Sequence, residues 1–241
     1  MKRYNLSGFL VLVLALALLA GLSGPAGAQE RATRDLVFED EGAAAKPEGE
    51  GQPETVVAVK TQIELVRDGQ KEAVPHTHQF KSGDKVKFLY TTNTDCYVYW
   101  LIKVASGDVY VLFPNPNDPR IGGDNWVVKN QIYQIPVMED KYFTIKHKTP
   151  GEKEVEQIIL VMAPEKFPEL EEAAKVAGVK GSKTGGDAVA KLEEEQAEKR
   201  KTRDLVFEDE EDPQTGVRTQ SQASPEFKEP MYVAFELVHF E

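Results

Sequence analysis

Hydrophobic and polar residues alternate along several short stretches of the chain, a pattern with a period of two that is typical of strands burying one face. The alternation runs through residues 59–65 and again through residues 85–90. In the second segment Val86, Phe88 and Tyr90 lie on one face. Lys85 and Lys87 lie on the other face, which is predicted to face water. These patterns predict a folded domain that begins near Thr55.

Other stretches are apolar at nearly every position, which is typical of strands covered on both faces. Residues 97–104 and 109–113 flank the turn sequence Ala-Ser-Gly-Asp and predict a central hairpin, and residues 156–162 predict a further central strand. Three shorter strands are predicted at residues 126–128, 131–135 and 142–146. The last ten residues before the C-terminal Glu241 are aromatic and strand-like, so they are predicted to pair back into the main sheet.

The period changes after Met162. Apolar residues from Phe167 to Ala177 fall on one helical face, Pro168 lies in the first turn, and Gly178 follows the end, which together predict one short helix. Residues 188–201 are strongly charged, with only two apolar positions to anchor a helix, and residues 211–230 have the composition of a loop.

The predicted fold is mainly β: a single antiparallel β-sandwich-like domain with one short helix and a long flexible acidic insertion before the last strand. The predicted segments are a signal peptide, a flexible N-terminal segment, the β-domain, a disordered or weakly helical insertion, and the C-terminal strand of the β-domain. Their respective ranges are residues 1–28, 29–54, 55–178, 179–230 and 231–241.

The N-terminus has the features of a secretory signal peptide. Lys2 and Arg3 precede an apolar stretch over residues 9–22, and Ala26-Gly27-Ala28 forms a small-residue cleavage site, so cleavage is expected near Ala28/Gln29. Glycine and proline interrupt the apolar run before it reaches the roughly 20 residues of a spanning helix. We therefore expect a periplasmic or secreted protein with no stable membrane insertion after cleavage.

The net charge of the chain limits the classes of partner that it can bind. The whole chain carries a net charge of −11, and loss of the signal would leave 27 basic against 40 acidic side chains, a net charge of −13. Nucleic acids and anionic membranes would repel such a protein. We therefore expect no nucleic-acid partner.

The nine residues TRDLVFEDE occur twice without a change, at residues 33–41 and 202–210, in segments that otherwise lack an apolar pattern. Each copy has a basic start, an apolar centre and an acidic end, as a short docking peptide would. In an extended conformation the leucine and phenylalanine of each copy point to the same side, which suits addition to a sheet edge. The predicted interaction residues are Arg34, Leu36, Phe38, Arg203, Leu205 and Phe207. The edge is either that of its own domain or that of a partner, and the expected partners are an envelope protein or a second copy of the chain.

The sequence lacks a Gly-x-Ser-x-Gly motif and a phosphate-binding glycine-rich loop, so we expect no enzymatic activity and no cofactor. His76 and His78 are spaced to share a face on an extended chain, and a metal-dependent enzyme at this pair is a weaker hypothesis. A solvated loop is the favoured interpretation, and no metal site is predicted. The single cysteine, Cys96, lies among apolar strand residues and is predicted to be buried and unreactive.

Tyrosines and tryptophans are frequent between residues 90 and 133. Most are expected in the core, because strands favour aromatic residues for packing. An alternative function is a glycan- or peptidoglycan-binding surface that includes Trp100 and Trp126.

The middle of the chain resembles the domain-of-unknown-function family 4384, a module of exported or accessory bacterial proteins. The resemblance rests on an ordered series of motifs, namely FKSGD at residues 80–84, YVYW at 97–100, the turn at Gly107, LFPN at 112–115, YQIP at 133–136 and the apolar strand at 158–162. It implies a β-module without established catalysis that serves in sensing or interaction.

Overall fold

A computed structural model describes residues 55–147, 151–179, 186–202, 206–224 and 227–240. Within these ranges it contains thirteen strands and two helices. The strands are β1 (Thr55–Arg67), β2 (Gln70–Val74), β3 (Gln79–Lys81), β4 (Lys85–Thr92), β5 (Cys96–Lys103), β6 (Val109–Phe113), β7 (Trp126–Val127), β8 (Tyr133–Ile135), β9 (Phe143–Thr144), β10 (Glu154–Ala163), β11 (Val206–Glu211), β12 (Arg218–Ser224) and β13 (Met231–Phe240). The helices are α1 (Pro168–Lys175) and α2 (Gly186–Thr202).

The first sheet is built around the long strand β1. Seven strands belong to it, in the order β11-β12-β1-β4-β8, with β2 paired to β1 and β9 paired to β4. The thirteen residues of β1 pair along one side first with β12 and then with β2, and along the other side with β4. Asp68 and Gly69 have positive φ angles of 54° and 79° in the tight turn between β1 and β2, a conformation that an Asp-Gly pair readily adopts.

The second sheet has six strands in the order β3-β13-β10-β5-β6, with β7 paired to β5. Strand β13 pairs antiparallel with β10 over its length, from Met231 opposite Met162 to His239 opposite Glu154. It also pairs in parallel with β3. The C-terminal segment thus returns to the main sheet, as its aromatic, strand-like sequence predicts.

The two sheets pack face to face, which confirms the predicted mainly β, sandwich-like fold. The alternating side chains of β1 and β4 meet the inner faces of β5, β10 and β13. Ile63, Leu65 and Phe88 come from the first sheet, and Trp100 and Ile158 come from the second. Each of these five side chains is at most 2 % exposed.

Both helices cover the outer face of the six-stranded sheet, which explains why its central strands are apolar on both faces. Leu170 and two alanines of α1 pack over Tyr99 and Leu101 of β5. The Tyr99 hydroxyl donates to the Glu171 carboxylate at 2.6 Å and accepts the Phe167 amide at 3.0 Å, which holds the start of α1 on the sheet. The second helix, predicted to be weakly anchored, buries its two apolar anchors and an alanine on the same face, namely Val189, Leu192 and Ala188.

Lys87 and the segment 211–230 differ from the sequence-based expectations. Lys87 was predicted to face water, but it is only 2 % exposed, because Tyr142 covers it. Its Nζ lies 4.7 Å from the Tyr142 ring centroid and donates to the Glu139 carbonyl at 2.6 Å. Residues 211–230 were predicted as loop, yet they include β12, whose sequence RTQSQAS lacks apolar alternation and is held by pairing on both of its edges.

The described residues contain no helix that is both long and apolar enough to cross a membrane. The predicted signal peptide, the N-terminal segment up to residue 54 and the first TRDLVFEDE copy lie outside the described residues.

Candidate functional site

The second TRDLVFEDE copy contributes an edge strand to its own domain. Its last five residues, 206–210, lie in β11, which pairs antiparallel with β12 from Val206 opposite Ala223 to Glu211 opposite Arg218. Among the described strands, β11 stands at the end of the seven-stranded sheet. Residues 206–210 of the repeat therefore have the extended conformation expected of an edge-adding peptide, and the edge that they cover is that of β12.

Of the six predicted interaction residues, only Phe207 lies within the described residues. Arg34, Leu36 and Phe38 of the first copy, and Arg203 and Leu205 of the second, lie outside the described residues. The backbone of Phe207 pairs with Gln222 in the β11–β12 ladder. The roles predicted for these six side chains stay predictions.

An acidic residue that was not among the predicted anchors attaches the strand to the sheet. Asp209, the eighth residue of the repeat, accepts two hydrogen bonds from the guanidinium of Arg218 in β12, from Nε at 2.7 Å and from Nη2. This hydrogen bonding raises the pKa of Arg218. A paired, charge-assisted contact of this kind adds geometric specificity as well as attraction, so Asp209 fixes the register of β11 on β12.

A second attachment follows the repeat directly. The Glu211 carboxylate accepts the backbone amide of His76 at 2.5 Å and lies 3.1 Å from its Nδ1, while the His76 Nε2 lies 3.0 Å from the Thr61 hydroxyl. Because an ionised carboxylate only accepts, a neutral His76 donates from Nδ1 to Glu211 and accepts at Nε2 from Thr61. Burial lowers the pKa of His76 below its ordinary value, although the hydrogen bond to Glu211 opposes that shift. The contacts join the end of β11 to β1 and to the segment after β2.

The Glu211 carboxylate, the His76 imidazole and the Thr61 hydroxyl follow one another in the same order as the groups of a nucleophilic triad. However, Thr61 is only 2 % exposed and His76 is 4 % exposed, so a substrate would reach the hydroxyl only if the strands separated. The chain of hydrogen bonds therefore stabilises the attachment of β11 rather than forming a reaction centre.

His76 and His78 do not form a shared ligand pair. The His76 ring packs edge-on against Phe235 at 4.5 Å, and the His78 ring packs against Phe80 at 4.9 Å. Neither belongs to a group of three potential ligands among the described residues. The interpretation of residues 76–78 as a solvated loop is also wrong for His76, which is buried.

The two tryptophans of the predicted ligand surface occupy different environments. Trp100 is 0 % exposed and stacks on Phe88 at 5.3 Å, so its assignment to a surface is corrected. Trp126 is 42 % exposed and contacts the half-buried Tyr97 edge-on, with 4.8 Å between ring centroids. The Lys166 ammonium lies 5.8 Å from the Tyr97 ring on the same surface. Only Trp126 is therefore available to a ligand.

Cys96 is buried, and burial raises the pKa of its thiol to about 12. The thiolate, which is the reactive form, is therefore strongly disfavoured at neutral pH. The prediction of a small buried side chain is confirmed.

The structure also brings together a group that the sequence did not reveal. His147, Glu154 and His239 each offer one ligand atom within 4.8 Å of the others. His147 and His239 are 92 positions apart, so no local spacing could have identified them.

Comparison with known proteins gives one match. Residues 79–163 match the family model described as domain of unknown function (DUF4384), which confirms the resemblance inferred from the ordered motifs. No curated protein and no solved structure matches the chain. The motif residues serve the fold: Phe80 and Trp100 are core residues, and cis peptide bonds precede Pro114 and Pro136 of the motifs LFPN and YQIP.

Proposed function

We propose that the protein is an exported, non-enzymatic interaction module of the bacterial cell envelope, which uses TRDLVFEDE as a strand that adds to a sheet edge. The observation that supports this proposal is the pairing of residues 206–210 with β12 at the end of the seven-stranded sheet. Export and the envelope location follow from the signal-peptide features of residues 1–28.

The mode of recognition is β-strand addition. Backbone hydrogen bonds between the repeat and the edge provide affinity that depends little on side chains, and side-chain contacts select the register. In the second copy this selection comes from Asp209 and its contact with Arg218. The first copy carries the same aspartate at Asp40, so it has the same means of recognising an arginine on an edge strand.

The two copies differ at the residue that follows them. Glu211, which bonds to His76, follows the second copy, whereas Gly42 follows the first. The second copy therefore has an additional attachment to its own domain, and the first copy has no carboxylate at the equivalent position in the sequence. We assign the second copy to capping the domain's own edge, and the first copy to docking on the edge of a partner, either an envelope protein or a second copy of the chain. Capping moves the edge of the sheet from β12 to β11, whose acidic sequence discourages pairing with further strands.

The test is whether an isolated repeat recognises the β12 edge. Synthetic TRDLVFEDE peptide is titrated into the ¹⁵N-labelled chain carrying Asp209→Asn and Glu211→Gln, with residues 33–41 scrambled to remove competition. We expect saturable amide shifts concentrated in β12, Arg218–Ser224. The unsubstituted chain should need about tenfold more peptide for the same shifts, because loosening the second copy by about 1.4 kcal/mol frees the edge to that degree.

A scrambled peptide of the same composition provides the matched control and should leave the β12 amides unchanged. Equal shifts with both peptides would mean that the acidic edge peptide binds without sequence recognition. The absence of saturable shifts in β12 would remove the strand-addition mechanism.

The exposed aromatic pair supports a second candidate function, the binding of glycan or peptidoglycan. Trp126 is 42 % exposed beside Tyr97, which offers a ring face on which a sugar could stack. If this surface binds peptidoglycan fragments, Trp126→Ala should weaken that binding about tenfold or more, as loss of an aromatic anchor does. Ile132→Ala, at an apolar residue that is 77 % exposed, provides the control and should leave the affinity unchanged. An unsubstituted chain that binds no glycan fragment in the same calorimetric titration would exclude this function.

A further inference from the structure

A cluster of two histidines and a glutamate lies at one end of the sandwich. Glu154 and His239 are directly opposite each other in the β10–β13 ladder, so their side chains share a face of the sheet. His147 comes from the segment after β9, where the backbone of Ile145 bonds to Gly83 and Asp84. One potential ligand atom from each of His147, Glu154 and His239 lies within 4.8 Å of the other two.

The spacing of the two imidazoles suits a bound metal ion. The Nδ1 atoms of His147 and His239 lie 3.3 Å apart. Two nitrogen ligands of one tetrahedral zinc ion lie about 3.3–3.4 Å apart, because each Zn–N bond is about 2.0–2.1 Å long. We propose that His147, Glu154 and His239 bind one divalent transition-metal ion, and that zinc is the ion whose ligand preferences they match best.

The surroundings concentrate negative charge around the site. The His239 ring is fully buried, and the side chains of Glu154 and Glu156 are 12 % and 16 % exposed. Their carboxylate oxygens lie 3.9 Å and 3.7 Å from His239 Nε2. A divalent cation among these groups would be attracted by both carboxylates. Hydrogen bonding between the two imidazoles is the alternative explanation of the 3.3 Å separation, and a zinc titration distinguishes the two explanations.

A cavity between the sheets lies beside Glu156, whose carboxylate is 3.7 Å from His239 Nε2. Glu156 lines an apolar cavity of about 220 Å³, together with Phe88, Ile158 and Leu237. Three protein ligands leave one tetrahedral position for water or for a small anionic group. The ion would also link the segment after β9, which belongs to the first sheet, to β10 and β13 of the second.

The first experiment measures zinc binding to the full chain by isothermal titration calorimetry after treatment with a chelator. We expect one ion per chain. His147→Gln and Glu154→Gln should each weaken binding at least about tenfold, the lower end of the loss seen when the support of a metal site is disturbed. His147 is chosen over His239 because it is only half-buried, so its substitution is compatible with folding. The matched controls, His78→Gln and the exposed neighbour Glu152→Gln, should bind as the unsubstituted chain does.

A second readout does not depend on variants. The side-chain nitrogens of the four histidines are followed by long-range ¹H–¹⁵N correlation spectra during zinc addition, and we expect only the resonances of His147 and His239 to shift to metal-bound positions. Three results would each overturn the proposal: no saturable one-to-one binding, affinity unchanged by His147→Gln and Glu154→Gln, or shifts at His76 and His78 instead.

Discussion

Replacing Trp100 by alanine is expected to lower the free energy of unfolding by about 3–5 kcal/mol, the range for removing a large aromatic residue from a close-packed core. Trp100 is 0 % exposed and stands between the sheets. Its ring lies 5.3 Å from Phe88 and 5.4 Å from Tyr90 of β4, and 6.5 Å from Phe235 of β13. Alanine cannot make these contacts, so the substitution leaves a cavity where both sheets meet.

The loss of stability in Trp100→Ala should come from lost packing contacts alone. The indole Nε1 of Trp100 is buried and makes no hydrogen bond among the described residues, so alanine removes no polar contact there. Trp100→Phe should accordingly recover part of the stability, because it restores much of the ring contact.

Urea unfolding followed by far-UV circular dichroism measures this effect without relying on tryptophan fluorescence. Trp126→Ala is the matched control, since this tryptophan is 42 % exposed, and it should change the unfolding free energy by no more than about 0.5 kcal/mol. Similar losses for the two variants would show that Trp100 is not the residue that joins the sheets.

The second large effect is expected at Asp84, the last residue of the FKSGD motif. Its carboxylate is buried, receives two hydrogen bonds from Arg67 at 2.8 Å and 2.6 Å, and accepts the Lys81 amide at 2.7 Å. Asp84→Asn keeps the shape but removes the charge and leaves the guanidinium of Arg67 without its counterion. We expect a loss of about 3 kcal/mol, the lower end for breaking a buried ion pair, because the Arg67 side chain is 31 % exposed.

This loss should depend on pH in a defined direction. Burial by itself would raise the pKa of Asp84, but the hydrogen bonds from Arg67 and from the Lys81 amide outweigh it and hold the pKa below its usual value. A group with a depressed folded-state pKa contributes stability that is fully present above its unfolded pKa, about 4 for aspartate, and is lost as pH falls through the folded pKa. The difference between the unsubstituted chain and Asp84→Asn should therefore be full at pH 7 and shrink at pH values below about 4.

Urea unfolding at a series of pH values between 7 and the acid limit of the folded state measures this difference. Asp118→Asn is a matched control, because Asp118 also pairs with an arginine, Arg120, but does so at the surface. Its substitution should cause a much smaller loss, since exposed ion pairs contribute little. A constant difference between the unsubstituted chain and Asp84→Asn across this pH range would contradict the assignment of the stabilisation to the charged pair.

Local patterns of hydrophobic and polar residues predicted most of the strands, because each pattern reflects which face of its strand is buried. The alternation through residues 59–65 and 85–90 corresponds to β1 and β4, and the apolar stretches correspond to β5, β6 and β10. The polar strand β12 escaped prediction, since Gln220, Ser221 and Gln222 are buried by neighbouring strands rather than by apolar character of their own. The burial of Lys87 was not predicted for a related reason. The residue that covers it, Tyr142, lies 55 positions further along the chain.

The candidate sites, like the strands, were predictable only in part from local sequence. Identical copies of TRDLVFEDE are visible in the sequence alone, and their alternating side chains predict an edge-adding strand. The choice of β12 as the edge depends on contacts with Arg218 and His76, which tertiary structure alone brings to the repeat. Trp100 and Trp126 are both aromatic residues in strand-forming sequence, so only the packed sheets distinguish the core residue from the exposed one.

The mainly β fold, the principal strands along the chain, the first helix and the presence of a repeated nine-residue peptide are therefore visible in the amino-acid sequence. These properties depend on local periodicity and turn chemistry, which act between residues a few positions apart. Three further results come from tertiary contacts: the edge that the second copy covers, the exposure of Trp126 rather than Trp100, and the meeting of His147, Glu154 and His239 at one end of the sandwich. Each of these results depends on the pairing and packing of distant strands, and such contacts leave no periodic trace in the segments that make them.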